Sequence, residues 1–294
     1  MSNCIEQYIE EGKQTIERVL KNMIDGNAIP KYLYESMTYS LFAGGKRLRP
    51  ILMFASYEAY GHNINKVYKT AAALEMIHTY SLIHDDLPAM DDDDYRRGKL
   101  TNHKHFDEAT AILAGDALLT KSFEIIASDD QLTNDEKVFI IQQLANASGP
   151  RGMVGGQILD IEGETNSLNL HQLEKVHELK TGKLITFAIV SGAYLAKANE
   201  KTIHHLQEFA QYLGLIFQVQ DDILDIEGDP EKLGKPVGSD ADNQKSTYPN
   251  LLGIDGAKQQ KEQYVKKANN ALVLAKANNS YLMDLLYYFS ERDY

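Results

Sequence analysis

Apolar residues recur along this chain at steps of three and four, and alternate in steps of two almost nowhere. From Val67 onward, Ala71, Leu74, His78, Ser81 and Asp85 keep the helical spacing and share one face. Ile203, Leu206, Ala210, Leu213 and Phe217 form a second stripe that leads into Asp221. Leu215, Val219 and Ile226 lie on a different face of that segment from Leu213, Ile216, Phe217 and Ile223, which predicts a helix buried on several sides. No Asn-Gly or Asp-Gly pair stands between alternating apolar runs, so no β-hairpin is expected. Breaks fall at Gly26 to Pro30, Gly44-Gly45, Pro50, Gly61, Pro88 to Gly98, Gly149-Pro150, Gly163 to Asn169, Gly182, Gly228 to Gly238 and Gly253 to Gly256. They leave roughly ten to thirteen helical segments. None reads as an interdomain linker, and no fixed-period repeat is present. The pattern predicts an all-α chain with one domain over residues 1–294.

Composition narrows the function. In 294 residues, 43% are hydrophobic, enough for a sizeable core. A single cysteine, Cys4, excludes an internal disulfide framework and a multi-cysteine zinc site. The formal charge of −12 disfavours nucleic acid or an anionic membrane surface as the main partner. The first residues carry early acids and no apolar stretch of signal-peptide length, and the longest nearly apolar run, Leu184 to Ala196, is too short to span a bilayer. The expectation is a soluble, reduced, cytoplasmic protein without a membrane span.

Chemistry concentrates in two aspartate clusters. The first is His84-Asp85-Asp86-Leu87-Pro88-Ala89-Met90-Asp91, continuing through Asp92-Asp93-Asp94-Tyr95-Arg96-Arg97-Gly98; the second is Gln218-Val219-Gln220-Asp221-Asp222-Ile223-Leu224-Asp225. Asp221 and Asp225 are four apart, and like charges at that spacing cost a few tenths of a kcal/mol even on an exposed helix. An acidic run is ordinarily a solvated face, and Asp92 to Asp94 fit that description. The second cluster interrupts an apolar stripe instead, which points to hard carboxylate oxygens for a divalent metal. Mg2+ prefers a few carboxylates, waters and substrate phosphates over an all-protein cage, so two facing clusters would suit several ions bridged by a diphosphate. Basic segments accompany them: Gly44-Gly45-Lys46-Arg47-Leu48-Arg49-Pro50, the pair Arg96-Arg97, Lys180-Thr181-Gly182-Lys183, and Lys235. Guanidinium forks and helix starts both suit phosphate oxygens, although each basic residue alone is ordinarily surface decoration.

With these segments on one helical chain, the sequence resembles the trans-prenyltransferases, the short-chain polyprenyl diphosphate synthases of bacterial farnesyl diphosphate synthase type. The resemblance runs from Ser40-Leu41-Phe42-Ala43-Gly44-Gly45-Lys46-Arg47 to Lys245-Ser246-Thr247-Tyr248 and includes Ala114-Gly115-Asp116-Ala117-Leu118 and Gly155-Gly156-Gln157. It implies an isoprenoid synthase fold, a single large helical bundle around a central active-site cavity, usually homodimeric. It also implies about three Mg2+ ions, with Mn2+ as an alternative. Members join isopentenyl diphosphate to an allylic diphosphate. On this resemblance Asp85, Asp91 and Asp221 ligate metal, with Asp86, Asp222 and Asp225 assisting directly or through water. Lys46, Arg49, His78 and Arg97 hold the isopentenyl diphosphate. Arg96, Lys180 and Lys235 hold the allylic diphosphate, and Thr181 with Gln218 faces the developing carbocation.

A lone histidine on a mostly apolar face is ordinarily a core residue, but His78 stands two turns before Asp85 on the same face. In the resembling family an aromatic residue five positions before the first aspartate limits chain growth, and that position is Tyr80. Five residues span about 7.5 Å of helix. Helix rotation alone puts Ser81 nearer the Asp85 face, so the floor assigned to Tyr80 rests on the resemblance. The expected product is therefore C15 farnesyl diphosphate, with geranylgeranyl or geranyl diphosphate synthase as the alternative. A terpene cyclase would lack the Gly44 to Arg49 segment, and a non-catalytic partner subunit would typically lose one aspartate motif. Relatives often carry basic residues near the C-terminus that help close the isopentenyl site; here only Arg292 is available. Lys183 replaces a small residue common in relatives and receives no catalytic role.

Overall fold

A computed structural model describes residues 2–228 and 246–292. Its regular elements are helical apart from one two-residue strand pair, in keeping with the all-α expectation. The chain divides into two compact units, Met1–Phe54 with Asn63–Ile141, and Ala55–His62 with Gln142–Tyr294.

In the first unit, α1 (Ser2–Met23), α2 (Lys31–Leu41) and the start of α3 (Leu48–Glu58) precede α4 (Tyr68–Asp85). A hairpin of β1 (Tyr95–Arg96) and β2 (Lys99–Leu100) follows, then α5 (Asn102–His105), α6 (Glu108–Ala127) and the first part of α7 (Asn134–Ser148). α4 is the central element, packed by α1, α2 and α6. It is buried on nearly every side, with Ala71 to Leu74, Met76 and Ile77 fully inaccessible. Each such leucine, isoleucine or methionine contributes about 1.5–3 kcal/mol of burial.

The second unit is organised the same way around α11 (Glu200–Glu227). Before it come α8 (Met153–Thr165), α9 (Leu170–His177) and α10 (Lys183–Leu195); after it come α12 (Tyr248–Leu274) and α13 (Tyr281–Glu291). α10, α12 and α13 pack on α11, burying Leu206, Phe209, Leu213, Ile216 and Val219. Asn199 caps its start by accepting from the Thr202 amide at 2.9 Å. Val219 and Ile223 are buried as expected on their separate faces, but Ile226 is 52% exposed because the helix is leaving the core by its last turn.

Three boundaries differ from the sequence reading. Arg97-Gly98 turns a hairpin although no Asn or Asp precedes the glycine: both residues adopt positive φ, 54° and 73°, as a two-residue turn requires. Gly182 does not end a helix, since residues Glu178–Gly182 form a π-turn joining α9 to α10. Gly253 adopts φ 72° inside the α12 span, so that break is a kink rather than a loop.

Candidate active site

Both central helices deliver aspartates at their C-terminal ends. α4 stops at Asp85, with Asp86 as its cap, and the chain turns back at once: the Asp91 amide donates to the Asp85 carbonyl at 2.9 Å. That turn brings the backbones of Asp85 and Asp91 together and leaves Asp85 half-buried and Asp91 exposed. Asp86 is buried and accepts from Arg96 Nε at 2.6 Å, while Arg96 also reaches Asp93 at 3.3 Å. Burial raises the Asp86 carboxyl and Arg96 opposes that shift. Asp92 to Asp94 are exposed, as a solvated loop should be, and Asp94 pairs with Lys104 at 2.8 Å.

The basic segment of this unit surrounds His78. Arg49 Nη1 lies 3.2 Å from His78 Nε2. A guanidinium only donates, so Nε2 is the acceptor and the ring proton sits on Nδ1. Burial, then the positive charge of Arg49, Arg97, Arg96 and Arg47, hold this histidine well below its ordinary range. The imidazole is thus a neutral acceptor within a cationic environment suited to a polyanion. Arg47 supports the loop itself: it is buried and donates to Glu75 at 2.7 Å and to the Leu41 carbonyl at 2.6 Å, which anchors the segment to α4. Arg97 donates to the Gly44 carbonyl. Gly45 adopts φ 116°, a backbone conformation that L side chains rarely adopt, so this turn favours glycine. Lys46 is half-buried in the same loop. Tyr80 is buried on α4 with its ring edge-on to His84 at 5.6 Å, and Ser81 donates to the His78 carbonyl at 2.8 Å.

In the second unit, a cavity of about 310 Å3 is lined by Asp160, His177, Lys180, Thr181, Gln218 and Asp221, among others. The π-turn supplies Lys180 and Thr181, and such turns recur at functional sites. Lys180 Nζ pairs with Asp160 at 2.6 Å, and Thr181 donates to Gln218 Oε1 at 2.9 Å. A Cβ on Gly156 would meet the Lys180 backbone nitrogen at 2.3 Å, so glycine lets α8 close against the turn. Asp221 is 41% exposed on this cavity. Asp222 is buried for a structural reason as well: its Oδ2 accepts the Tyr248 amide at 2.8 Å, satisfying an orphan N–H in the first turn of α12. Asp225 is buried on the face below. Lys183 pairs with Glu178 at 2.6 Å. Lys235 lies outside the described residues.

The structure thus gathers Arg49, His78, Arg96, Arg97 and the first cluster in one unit, and Lys180, Thr181, Gln218 and the second cluster in the other. The sequence reading missed Asp160 and His177. No local pattern links Asp160 to Lys180 twenty residues away; only the return of the chain through α9 does. Among the described residues no three His, Cys, Asp or Glu side chains converge into a ready-made cage. The donor chemistry still fits Mg2+, which binds through one or two accessible carboxylates plus waters and phosphates, and Asp85, Asp91 and Asp221 are accessible carboxylates of that kind.

Known proteins are similar to this chain over most of its length. Residues 30–280 match the Polyprenyl synthetase family. The farnesyl diphosphate synthase of Bacillus subtilis (strain 168) is 46% identical over 296 residues, covering 100% of both chains. That of Micrococcus luteus is 49% identical over 287 residues, covering 96% of this chain and 98% of its own. A crystal structure of a geranyltransferase from Helicobacter pylori, complexed with magnesium and isoprenyl diphosphate, superposes with a TM-score of 0.82 at 34% identity, covering 95% and 97% of the two chains. The match spans both units and every aspartate and basic segment described above, and the chain belongs to the polyprenyl synthetase family.

Proposed function

We propose that the protein is a farnesyl diphosphate synthase, condensing isopentenyl diphosphate with dimethylallyl and then geranyl diphosphate to give (2E,6E)-farnesyl diphosphate and diphosphate. The observation that carries this reading is end-to-end identity of 46–49% to farnesyl diphosphate synthases in a chain that retains both aspartate clusters. Residues 1–294 then act as one polyprenyl synthase domain, consistent with a family match that runs across both units.

The roles follow from charge. Magnesium bound through Asp85, Asp91 and Asp221 supplies Lewis-acid stabilisation of a departing diphosphate. Arg96 and Lys180, each already aligned by a carboxylate partner, donate to the allylic diphosphate as its negative charge grows. Arg49, Arg97 and Lys46 hold the isopentenyl diphosphate, with His78 kept neutral beside them. Thr181 and Gln218, tied to one another, present oxygen dipoles to the allylic cation. The isopentenyl double bond attacks that cation and forms the new carbon–carbon bond. Loss of one proton, taken up by the released diphosphate, restores neutrality at carbon. Buried Tyr80 is the floor that stops growth at C15, with Ser81 beside it on the Asp85 face.

The family's Mg2+ requirement, with about three ions or with Mn2+ in their place, is assigned to this chain on the same basis, as are the homodimer and a cytoplasmic location. Among the described residues no helix is long and apolar enough to cross a membrane. Purified protein incubated with Mg2+, isopentenyl diphosphate and a labelled C5 or C10 allylic diphosphate should yield C15 diphosphate on chromatography. A C20 or C10 end product would replace the farnesyl reading with the geranylgeranyl or geranyl one, and no extension at all would favour a non-catalytic subunit.

A further inference from the structure

Arg292, the residue that caps α13, reaches the second aspartate cluster and is held there by several contacts. The Arg292 guanidinium pairs with Asp221 Oδ1, and its Nη2 donates to the Phe217 carbonyl at 3.2 Å. It lies over the Phe217 ring, 4.2 Å from the centroid, a cation–π arrangement. The Arg292 carbonyl accepts from Gln220 Nε2 at 2.7 Å. Lys261 Nζ donates both to Gln220 Oε1 at 2.6 Å and to the Ser290 carbonyl at 2.9 Å, closing the network. The Arg292 side chain is only 5% exposed. The guanidinium is therefore set by the Phe217 ring and carbonyl as much as by Asp221, while Gln220 holds the Arg292 backbone.

A cation fixed in this way has a consequence for the carboxylate it faces. We infer that Arg292 is a built-in counter-ion of Asp221 that weakens divalent-cation binding at the second cluster until a diphosphate arrives. Without the anion, an ion at Asp221 meets a rigid positive charge a few ångströms away and shares the carboxylate with it. With the anion present, the guanidinium and the metal face a common negative partner, and the repulsion is offset. By reciprocity, cation and diphosphate then strengthen one another's binding. The metal at this cluster is loaded with substrate rather than before it. Arg292 thereby acts as a positioning residue of the metal site, not as a closure of the isopentenyl site.

The inference rests on Asp221 as a metal ligand, and the test separates the two. Mn2+ is titrated into the full-length protein without diphosphate, free Mn2+ being followed by electron paramagnetic resonance. Repulsion of a divalent ion by a largely screened monovalent charge corresponds to about tenfold in affinity, so Arg292→Gln should tighten the Asp221-dependent Mn2+ sites by about that factor. Arg292→Lys, which keeps the charge, should stay within about threefold of the unaltered protein. Unchanged or weaker Mn2+ binding in Arg292→Gln overturns the inference. If that variant does not fold, Phe217→Leu decides: loosening the guanidinium while keeping its charge should tighten Mn2+ by a few fold, and no change overturns it. Asp221→Asn is the control on the premise. If it binds Mn2+ as the unaltered protein does, the metal reading of Asp221 fails; if it binds more weakly while Arg292→Gln changes nothing, only the counter-ion inference fails.

Discussion

The two aspartate clusters use the same residue type on opposite kinds of backbone. The first is a helix end followed by a loop: Asp85 closes α4, Asp91 returns to it through a backbone hydrogen bond, and Asp91 to Asp94 face water. The second lies within the last turns of α11, where Asp222 and Asp225 are buried, and Asp221, 41% exposed, is the accessible acid of the pair, Asp221 and Asp222, that lines the cavity. In the first, ligand spacing is set by a turn and can change without disturbing the core. In the second it is set by helical periodicity, and the acids are part of the packing. The loop cluster therefore offers adjustable reach, and the helix cluster a fixed reference.

The largest effect should come from removing one accessible carboxylate from each cluster. Asp85→Ala and Asp221→Ala should each lower kcat with Mg2+ by on the order of 10^3-fold, the loss expected when a group that stabilises transition-state charge is deleted. Near-normal turnover in either would break the parity between the clusters. Next is Tyr80, which belongs to the first unit alone. Tyr80→Ala should shift the end product beyond C15, read by chromatography, and should cost about 3 kcal/mol from the cavity it leaves. An unchanged product profile would remove the floor from this helix.

The difference in backbone explains what was legible in the sequence. α4 and α11 announced themselves because both carry long apolar stripes, and the aspartates stood out where those stripes end. The fold class followed from the same periodicity, repeated along the chain. The Arg97-Gly98 hairpin was not legible, since two strands of two residues carry no alternation to detect. Nor was the π-turn: residues Glu178–Gly182 absorb one extra residue per turn, and the glycine that looked like a helix end is packed instead, its Cα 2.9 Å from where a Cβ on Gly214 would sit. Asp160 and His177 gain their meaning from tertiary return of the chain, which no local spacing encodes. The double duty of Asp222, a candidate ligand that also caps α12, was hidden for the same reason.

That double duty gives the third test. Asp222→Ala leaves the buried Tyr248 amide without its acceptor, and should cost about 2 kcal/mol in urea unfolding. Asp91→Ala removes an exposed loop carboxylate and should cost under about 0.5 kcal/mol, whatever it does to activity. Equal losses would mean that loop and helix hold their aspartates in the same way.

The smallest effect separates the histidines of the two units. His78 is kept neutral by burial among arginines. His177 has no such company: its Nε2 is buried without a partner, its ring stacks on Tyr248 at 5.8 Å, and burial holds it down to about 4. In the unfolded chain both return to the ordinary value near 6.5. Between pH 6.5 and 4 the unfolded state therefore binds more protons than the folded one, and stability falls as pH falls through that window. At pH 5.5 the His177 share of that loss is about 1 kcal/mol relative to pH 8. His177→Phe keeps an aromatic ring against Tyr248 but cannot titrate, so its unfolding free energy should drop by about that much less over the same interval. An identical drop in both proteins would show that His177 is solvated enough to protonate in place, and that only the first unit holds its histidine neutral by its surroundings.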